Sequence, residues 1–441
     1  MPIKPAPIRT RRRPASQRER ERAGMAILMV VTAIAICMVI VNEFGTRTNI
    51  DMLQSRNNLD QMRAQMLARS SLNVTDLVLR LQKRLDDAAK ANPEMGLEGV
   101  QITDYADTLM GAFGGTPEEV EGAIGLSAED AKGLGSDIGG FGVRITPIDG
   151  KINVNCAASS ASNQKLLRGA LEALLYPPAF DPIFEEEDAE GWRRDRKTQI
   201  DAIIDYIDSN TDQADTPGAP ENYGYEGLTD KYQAKNGAID SVAELKLVRG
   251  VDDRFWTLFG TAFRVAGECK VNLRALDDPK IISALITLAA DDKDPLARDF
   301  TVVWAIANLV IQAKTFGFYF TTTDEFVEFV KDPGAAFASL AGDPGAEGGS
   351  GATQAPIPTL PPGVTGLTLK KTELDKIATS EAVRLYEVEV YGEVTRGGIL
   401  NPLRRTIRGT WDQTFALQQS RVRAKLPSGK SNGSWLYLRE E

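Results

Sequence analysis

Six side chains that carry oxygen donors lie close together between positions 205 and 221. Asp208, Asn210 and Asp212 occupy alternate positions, so one turn of backbone can bring their oxygens to a hard cation such as Ca²⁺, which takes about six to eight oxygen ligands. Residues 181–253 hold 19 acidic and eight basic groups, a net charge of −11, and bound cations would reduce this repulsion. The predicted calcium ligands are Asp205, Asp208, Asn210, Asp212, Asp215 and Glu221.

The same segment departs from the EF-hand calcium loop. Gln213 stands where that loop has glycine, and Ala219 stands where it has a bidentate glutamate. A solvated acidic loop without an ion is therefore the alternative interpretation.

Catalytic chemistry is poorly represented in the chain. There is no histidine, the usual general base and the commonest transition-metal ligand. The phosphate-binding loop G-x-x-x-x-G-K-[ST] and the C-x-x-C motif are also missing. The run Glu185–Asp188 is more typical of a solvated surface than of paired acid–base carboxylates. We predict that the protein has no catalytic residues and is not an enzyme.

The N-terminal region has the charge pattern of a membrane anchor. Residues 1–24 contain eight Lys or Arg and two Glu, and Met25–Val41 is an uncharged apolar run of 17 residues. At ~1.5 Å per residue this run is about 26 Å long, at the short end for crossing a bilayer. The positive-inside rule places its N-terminus in the cytoplasm and the following residues outside. A cleaved signal peptide and a basic nucleic-acid-binding tail are the alternatives.

A single long helix is predicted from Met25 to Asn92. Apolar residues at 74, 77, 78, 81 and 85 have the spacing of one helical face. No proline interrupts this range, and Pro93 follows it. The apolar run is followed by Asn42, Glu43 and Phe44 rather than by a small-residue cleavage site, which argues against a signal peptide.

The start of this helix resembles a type IV prepilin leader. A basic leader ends at Gly24 and is followed by Met25 and the apolar run. The resemblance implies that a membrane peptidase cuts after Gly24 and that Met25 becomes a methylated N-terminus. Major subunits of the family carry glutamate at the fifth mature position, whereas this chain has Met29 there. The K-type minor pseudopilins also lack this glutamate. An anchor that is never processed is the alternative.

The exported part is predicted to contain strands on both sides of a helical region. Asp149-Gly150 between residues 143–145 and 152–154 predicts a hairpin, and strands are also expected near 386–390, 404–411 and 435–438. Helices are expected at 164–175, 200–206, 241–248 and 300–314, and an acidic helical stretch near 117–132. Residues 342–366 contain 12 Gly or Pro and predict a linker. The predicted fold class is α+β: a long N-terminal pilin-like helix packed on an antiparallel sheet, with a large α-helical domain inserted into the sheet.

Ordered segments of this region resemble the minor pseudopilin K family of type II secretion. They are DGKINVN at 149–155, AIIDYID at 202–208, GAPENYGY at 218–225, NGAIDSVAELKLVRG at 236–250 and KVNL at 270–273. The resemblance implies calcium binding near the acidic loop, and a tip subunit that packs with the I- and J-type minor pseudopilins and the major pseudopilus subunit. It also implies that KVNL resumes the sheet.

Two further features have open interpretations. SVAELKLVRGVDDRFW resembles a helix-hairpin-helix, but its acidic surroundings do not suit phosphate binding, so no nucleic acid is expected as a partner. Cys156 follows the strand INVN and Cys269 precedes VNL. If these strands are antiparallel neighbours, the two sulfurs can form a disulfide in an oxidising compartment, and two unlinked buried thiols are the alternative.

These interpretations combine into one predicted organisation. Residues 1–24 are the leader, 25–92 the transmembrane pilin helix, 93–157 the first part of the head, 158–268 the inserted helical domain and 269–441 the rest of the head. The expected protein is a single-pass subunit of the bacterial inner membrane with a periplasmic head, which primes or caps a type II secretion pseudopilus. A minor pilin of a type IV pilus and a membrane-tethered DNA-uptake protein are the alternative functions.

Overall fold

The fold is described from a computed structural model, which defines residues 17–92, 94, 99–114, 139–185, 195–214, 225, 231–340, 360, 364–394, 402–414 and 434–441. The helices are α1 Gln17–Ala91, α2 Ala106–Gly114, α3 Ala161–Leu175, α4 Asp181–Phe184, α5 Arg196–Ile207, α6 Asp253–Phe259, α7 Pro279–Ala289, α8 Phe300–Thr315, α9 Thr323–Lys331, α10 Pro333–Leu340 and α11 Lys371–Ile377. The strands are β1 Gly139–Pro147, β2 Ile152–Asn153, β3 Phe263–Arg264, β4 Val271–Asn272, β5 Ala378–Thr379, β6 Leu385–Val394, β7 Leu403–Asp412 and β8 Ser434–Glu440.

The predicted long helix is confirmed, although it starts earlier than expected. α1 has 75 residues and ends at Ala91, two positions before Pro93, which cannot continue the hydrogen-bonding pattern. It begins at Gln17, inside the basic segment that the sequence assigned to the leader. The Glu and Arg residues of that segment favour a helix, so nothing in their backbone preference stops α1 at Gly24.

A four-stranded antiparallel sheet packs against α1. Its strand order is β1-β6-β7-β8, and the three strands predicted near the C-terminus are confirmed as β6, β7 and β8. Alternate residues of β6 are buried, including Tyr386, Val388 and Val390, because one face of the sheet lies against the helix. On the other face Glu389 of β6 is paired in register with Arg408 of β7, at 3.2 Å between carboxylate and guanidinium.

Most of the remaining helices form a block that interrupts the sheet. β1 and β6 are hydrogen-bonded neighbours, yet residues 148–384 lie between them in sequence, so the predicted insertion into the sheet is confirmed. A large buried cluster runs through this block from Ile152 to Ala378, and a second, smaller cluster lies between α1 and the sheet. The larger cluster draws residues from both sides of position 268, where the sequence division ended the inserted domain.

Several helices of the block begin at Ser, Thr or Asp capping residues, which are recognisable in the sequence. Each side chain accepts a hydrogen bond from a backbone N–H in the first helical turn, which satisfies a donor that has no partner within the helix. The capping residues are Ser160 for α3, Asp195 for α5, Asp278 for α7, Asp299 for α8 and Thr322 for α9.

The predicted hairpin around Asp149-Gly150 is wrong. β1 pairs with β6, while β2 pairs in parallel with β3. Asp149 is buried and accepts hydrogen bonds from the N–H groups of Arg384 and Leu385. A Cβ on Gly150 would lie 2.2 Å from the carbonyl oxygen of Ala275. The Asp-Gly pair therefore lies where two chain segments pass close to each other, and it does not form a hairpin turn.

The expectation that residues 270–273 resume the main sheet is also wrong. Val271 and Asn272 pair in parallel with Ala378 and Thr379, forming a separate two-stranded sheet. The predicted helix near 117–132 lies outside the described residues. So does the 342–366 linker, apart from residues 360 and 364–366.

Candidate assembly helix and calcium loop

The first third of α1 exposes its apolar side chains on all sides. From Gly24 to Val41 every described side chain is exposed, and Met25, Met29 and Val41 are examples of large apolar members. Within the described part of the chain, α1 is the one helix that is long and apolar enough to cross a bilayer. An all-round apolar surface of this kind is stable when lipid or other apolar helices surround it.

Between Ala64 and Thr75, the α1 residues that are buried against the sheet are small or polar. Ala64, Ala68, Ser71 and Thr75 are completely buried there, and Ser71 Oγ donates to the carbonyl oxygen of Gly142 at 2.9 Å. Opposite them stands Gly392 of β6, where a Cβ would lie 2.2 Å from the Ala64 carbonyl oxygen and 2.4 Å from the Ala68 nitrogen. The helix and sheet backbones therefore approach closely, which only small side chains permit.

The opposite face of the same helix segment carries an exposed apolar stripe. Successive helix residues are about 100° apart, so positions 52, 59, 62, 66 and 77 project away from the sheet-facing residues. We call Met52, Leu59, Met62, Met66 and Leu77 the outer stripe, and their exposed fractions are 47%, 48%, 59%, 56% and 55%. It continues the exposed apolar surface of Met25–Val41 toward the head.

The predicted apolar positions 74, 77, 78, 81 and 85 divide between two sides of α1. Val78 belongs to the buried cluster between α1 and the sheet, and Val74 packs against that cluster, whereas Leu77 and Leu81 are 55% and 43% exposed. The sequence pattern predicted the helix correctly but did not reveal the small residues that meet the sheet closely, because a hydrophobicity pattern overlooks small side chains. Exposed apolar stripes of this length are typical of protein or lipid contact surfaces.

The predicted processing site is placed on α1. Gly24 and Met25 are both exposed, and a Cβ at Gly24 would meet no atom within 4 Å. Both residues are helical, and cleavage after Gly24 stays a prediction.

The acidic loop begins where α5 ends. Asp208 caps the C-terminus of α5 and is 3% exposed. Its Oδ2 accepts hydrogen bonds from Gln164 Nε2 at 2.9 Å and from Asn210 Nδ2 at 2.7 Å. Asp212 N donates to Asn210 Oδ1 at 2.8 Å. The loop then returns to α5, since Ala214 N donates to Asp205 Oδ1 at 2.8 Å.

One carboxylate oxygen of this loop is a potential cation ligand. Among the described residues Asp208 Oδ1 is buried without a hydrogen-bond partner, and burial raises the pKa of this carboxyl above its usual value. A divalent cation would satisfy the oxygen and favour the charged form. The donor set of Asp208, Asn210 and Asp212 suits calcium, although the described residues contain no group of three acidic or sulfur ligands close enough to hold a metal. Asp215 and Glu221 lie outside the described residues.

The loop borders an open cavity of mixed charge. Its volume is about 340 Å³, and its lining includes Gln164, Lys165, Arg168, Asp208 and Asp212. Arg168 forms an ion pair with Asp201 at 2.5 Å. This pairing reduces the electrostatic repulsion between Arg168 and a cation in the cavity.

Cys156 and Cys269 are joined by a disulfide, with their Cα atoms 5.8 Å apart. The structural reason differs from the one expected, because β2 and β4 are not neighbours and pair with β3 and β5. Formation of this bond in the exported protein stays a prediction for chemical test. Cys37 is free and exposed on the apolar part of α1.

Sequence reasoning missed two residues that organise the head. Asp149 and Arg264 are 6% and 2% exposed and lie 3.9 Å apart. The available signal was Arg264 itself, an isolated charge in the otherwise apolar segment AFRVAG at 262–267.

A long, partly apolar helix lies on an antiparallel sheet, and a helical block is inserted between neighbouring strands, as the sequence resemblance predicts. Comparison with known proteins shows which family this chain resembles. Residues 150–258 match the family model of type II secretion system (T2SS) protein K. The type II secretion system protein K of Aeromonas hydrophila is 24% identical over 238 residues, or 54% of this chain and 61% of the relative.

The chain thus matches about 61% of the length of that curated relative. A crystal structure of the GspK-GspI-GspJ complex from the type 2 secretion system of enterotoxigenic Escherichia coli is similar over 81% of this chain and 98% of the matched chain. Its TM-score is 0.41 and its sequence identity 14%, so it carries no part of the argument. The predicted resemblance to the K-type minor pseudopilins is confirmed by the match of residues 150–258 to the protein K family model.

Proposed function

We propose that this protein is a structural subunit at the tip of a type II secretion pseudopilus, where it primes or caps the filament by packing with I- and J-type minor pseudopilins. The K-family match and the apolar N-terminal helix fit a single-pass, membrane-anchored minor pseudopilin. The proposal adds that Met25 becomes the mature N-terminus in the inner membrane and that the head is periplasmic.

The observation that carries this proposal is the outer stripe of α1. Apolar side chains at Met52, Leu59, Met62, Met66 and Leu77 remain exposed although the head folds against the other side of the helix. A partner helix that emerges from the same membrane beside α1 would cover the stripe along its length. At about 25 cal/mol per Å² of buried apolar surface, such a contact is strongly favourable.

Co-purification from membranes tests this packing. The full chain is expressed with I- and J-type minor pseudopilins, solubilised in mild detergent and recovered through a tag on the head. We expect a complex for the unmodified chain and at least about a tenfold loss for Met62→Glu combined with Met66→Glu, because a charge in an apolar helix contact is costly.

The matched control is Gln54→Glu combined with Asn57→Glu, which adds the same two negative charges at exposed α1 positions on the sheet-facing side below the head. Its complex should be unchanged. Full recovery of the Met62 and Met66 variant, with unaltered thermal unfolding, would contradict the assembly role of the outer stripe.

A second proposal concerns the acidic loop. We propose that Ca²⁺ is held by Asp205, Asp208, Asn210, Asp212, Asp215 and Glu221. The buried, unpartnered Asp208 Oδ1 supports this. When bound, the ion would supply positive charge that neutralises the carboxylates and fixes the end of α5 to the loop.

Thermal unfolding with and without a calcium chelator tests the proposal. Removal of calcium should lower the unfolding temperature of the unmodified protein by several degrees. Asp208→Asn should abolish this difference, whereas Asp240→Asn, at an acidic side chain that is 97% exposed, should preserve it. Equal unfolding temperatures with calcium and with chelator would exclude the site.

A further inference from the structure

Three chain segments meet where the helical block joins the sheet. Residues 148–152 leave β1, residues 379–385 enter β6, and residues 264–272 form a loop between them; we call this region the junction. Ile148 N donates to the carbonyl oxygen of Leu385 at 3.0 Å, and Asn272 N donates to that of Asp149 at 2.9 Å. The block is therefore attached to the sheet through contacts among all three segments.

Asp149 holds the segment that enters β6. Its Oδ2 accepts hydrogen bonds from Arg384 N at 2.6 Å and from Leu385 N at 3.2 Å. The carboxylate is 6% exposed, so these bonds form in a low-dielectric environment where an unpaired charge would be costly.

Arg264 supplies the opposite charge and organises the loop. Its Nε donates to the Lys151 carbonyl oxygen at 2.8 Å, and its Nη2 donates to those of Glu268 and Lys270 at 2.7 and 3.1 Å. Its Nη1 donates to the Ala266 carbonyl oxygen and lies 3.9 Å from Asp149 Oδ1. The loop thus wraps around one guanidinium with its carbonyl groups turned inward.

This wrapping requires a glycine. Gly267 has φ of +89°, a conformation that L side chains rarely adopt. A Cβ there would lie 2.3 Å from Arg264 Nη1 and 2.5 Å from the Leu385 side chain. The loop is therefore fitted closely to both the guanidinium and the start of β6.

The disulfide is located in the same loop. Cys269 stands between Glu268 and Lys270, whose carbonyl oxygens both accept from Arg264, and it is bonded to Cys156 of the block. Asn153, three residues before Cys156, donates from Nδ2 to the Gly267 carbonyl oxygen at 2.8 Å. The covalent bond thus fixes the carbonyl groups that receive the guanidinium.

We propose that the Cys156–Cys269 disulfide and the Arg264–Asp149 pair act as one latch that fixes the helical block to the sheet. Opening the disulfide releases the loop, Arg264 loses carbonyl acceptors, and Asp149 loses its buried counter-charge and its hold on residues 384 and 385. A disulfide that only restricts the unfolded chain would stabilise every part of the fold alike, so the latch predicts a local effect instead.

Hydrogen exchange on the full chain in detergent micelles distinguishes the two. A dithiol reductant transfers two electrons and two protons to the disulfide, giving two cysteine thiols and the cyclic disulfide of the reagent. After reduction, peptides covering 379–386 and 268–275 should exchange at least about tenfold faster, equivalent to about 1.4 kcal/mol. Peptides covering 200–207 and 387–394 should be unchanged. Equal acceleration of all four, or of none, would overturn the proposal.

A variant cycle tests the coupling to Arg264. Arg264→Lys should accelerate exchange at 379–386 in the oxidised protein and add little in the reduced protein, because the latch is then already open. Arg196→Lys is the control, since Arg196 donates to the Leu175 carbonyl oxygen inside the block, away from the junction. Its effects should be the same in both redox states. Additive effects of reduction and Arg264→Lys would contradict a single latch.

Discussion

At the scale of single residues, Asp86 has an unusual environment on α1. Its Oδ1 accepts a hydrogen bond from Gln82 Nε2 at 2.9 Å, while its buried Oδ2 has no partner among the described residues. Burial raises the pKa of Asp86 from 3.8 to about 6, partly offset by the Gln82 hydrogen bond. Gln82 also donates to the Val100 carbonyl oxygen and accepts from Ile102 N. Asp86 therefore lies beside the hydrogen bonds that attach residues 100–102 to α1.

We predict that Asp86→Asn stabilises the head at neutral pH. The folded state holds a proton on Asp86 that the unfolded state releases between pH 3.8 and about 6, so this residue lowers stability as pH rises through that window. Above pH 6 the full cost of burying the charge remains. Asn keeps the acceptor without the charge, which should add roughly 1–3 kcal/mol to the free energy of unfolding at pH 7.5.

Denaturant unfolding at pH 4 and pH 7.5 measures this effect. The gain should be largest at pH 7.5 and shrink toward pH 4. Asp87→Asn, at an exposed neighbour paired with Lys83, should leave the pH dependence in place. A gain of the same size at both pH values would show that the charge of Asp86 is not its cause.

The cysteines give a second prediction at this scale. Since Cys156 and Cys269 are bonded and Cys37 is free, one thiol per chain should react with a thiol reagent under denaturing, non-reducing conditions. Three should react after reduction. Three reactive thiols without reductant, in protein extracted from its native membrane, would refute the pairing.

Some functions of single residues can be predicted from the sequence, whereas others cannot. Capping residues such as Ser160 and Asp299 act on backbone groups nearby in sequence, so local patterns suffice. Asp149 and Arg264 act on partners up to 236 residues away, and Asp-Gly in particular favoured a local hairpin that the tertiary contacts replaced.

At the scale of elements, the contact between α1 and β6 depends on Gly392. Gly392→Val would place side-chain atoms against the backbone of Ala64 and Ala68, which cannot move without displacing α1. We predict a loss of about 1–3 kcal/mol in the free energy of unfolding, typical of overpacking, measured by denaturant unfolding.

The control for this prediction is Gly169→Ala. Gly169 lies within α3, and a Cβ there meets only the Leu288 side chain at 3.8 Å. This substitution should be neutral or stabilising, because alanine favours a helix over glycine. A Gly392→Val protein as stable as the unmodified one would mean that α1 does not pack so closely on the sheet.

The elements themselves were largely predictable, whereas their pairing was not. α1, α3, α5, α8 and the three C-terminal strands each have a local period or length that identifies them. Pairing of β1 with β6 joins segments separated by the whole helical block, and no short-range pattern encodes it. The close contact between α1 and β6 was not predicted for a related reason: Gly392 and the small residues opposite it can be recognised as a contact only once both elements are placed.

At the scale of the whole molecule, the buried cluster of the helical block and the buried cluster between α1 and the sheet differ in how completely they cover apolar surface. The helical block has its own large core, while the α1–sheet cluster leaves the outer stripe uncovered. In the proposed assembly, the uncovered side of α1 would contact partner helices, and the head would lie beyond that contact. The order of helix, strand, block and strands was predictable from the sequence, but the single core across residue 268 appeared only when β4, β5 and α7 were placed together.

Cleavage after Gly24 would make α1 a processed assembly helix, and intact mass spectrometry of the protein extracted from its native membrane tests this most directly. We predict a chain that starts at Met25 and carries one added methyl group, lacking residues 1–24. A chain that retains residues 1–24 would contradict it and leave α1 as an ordinary membrane anchor.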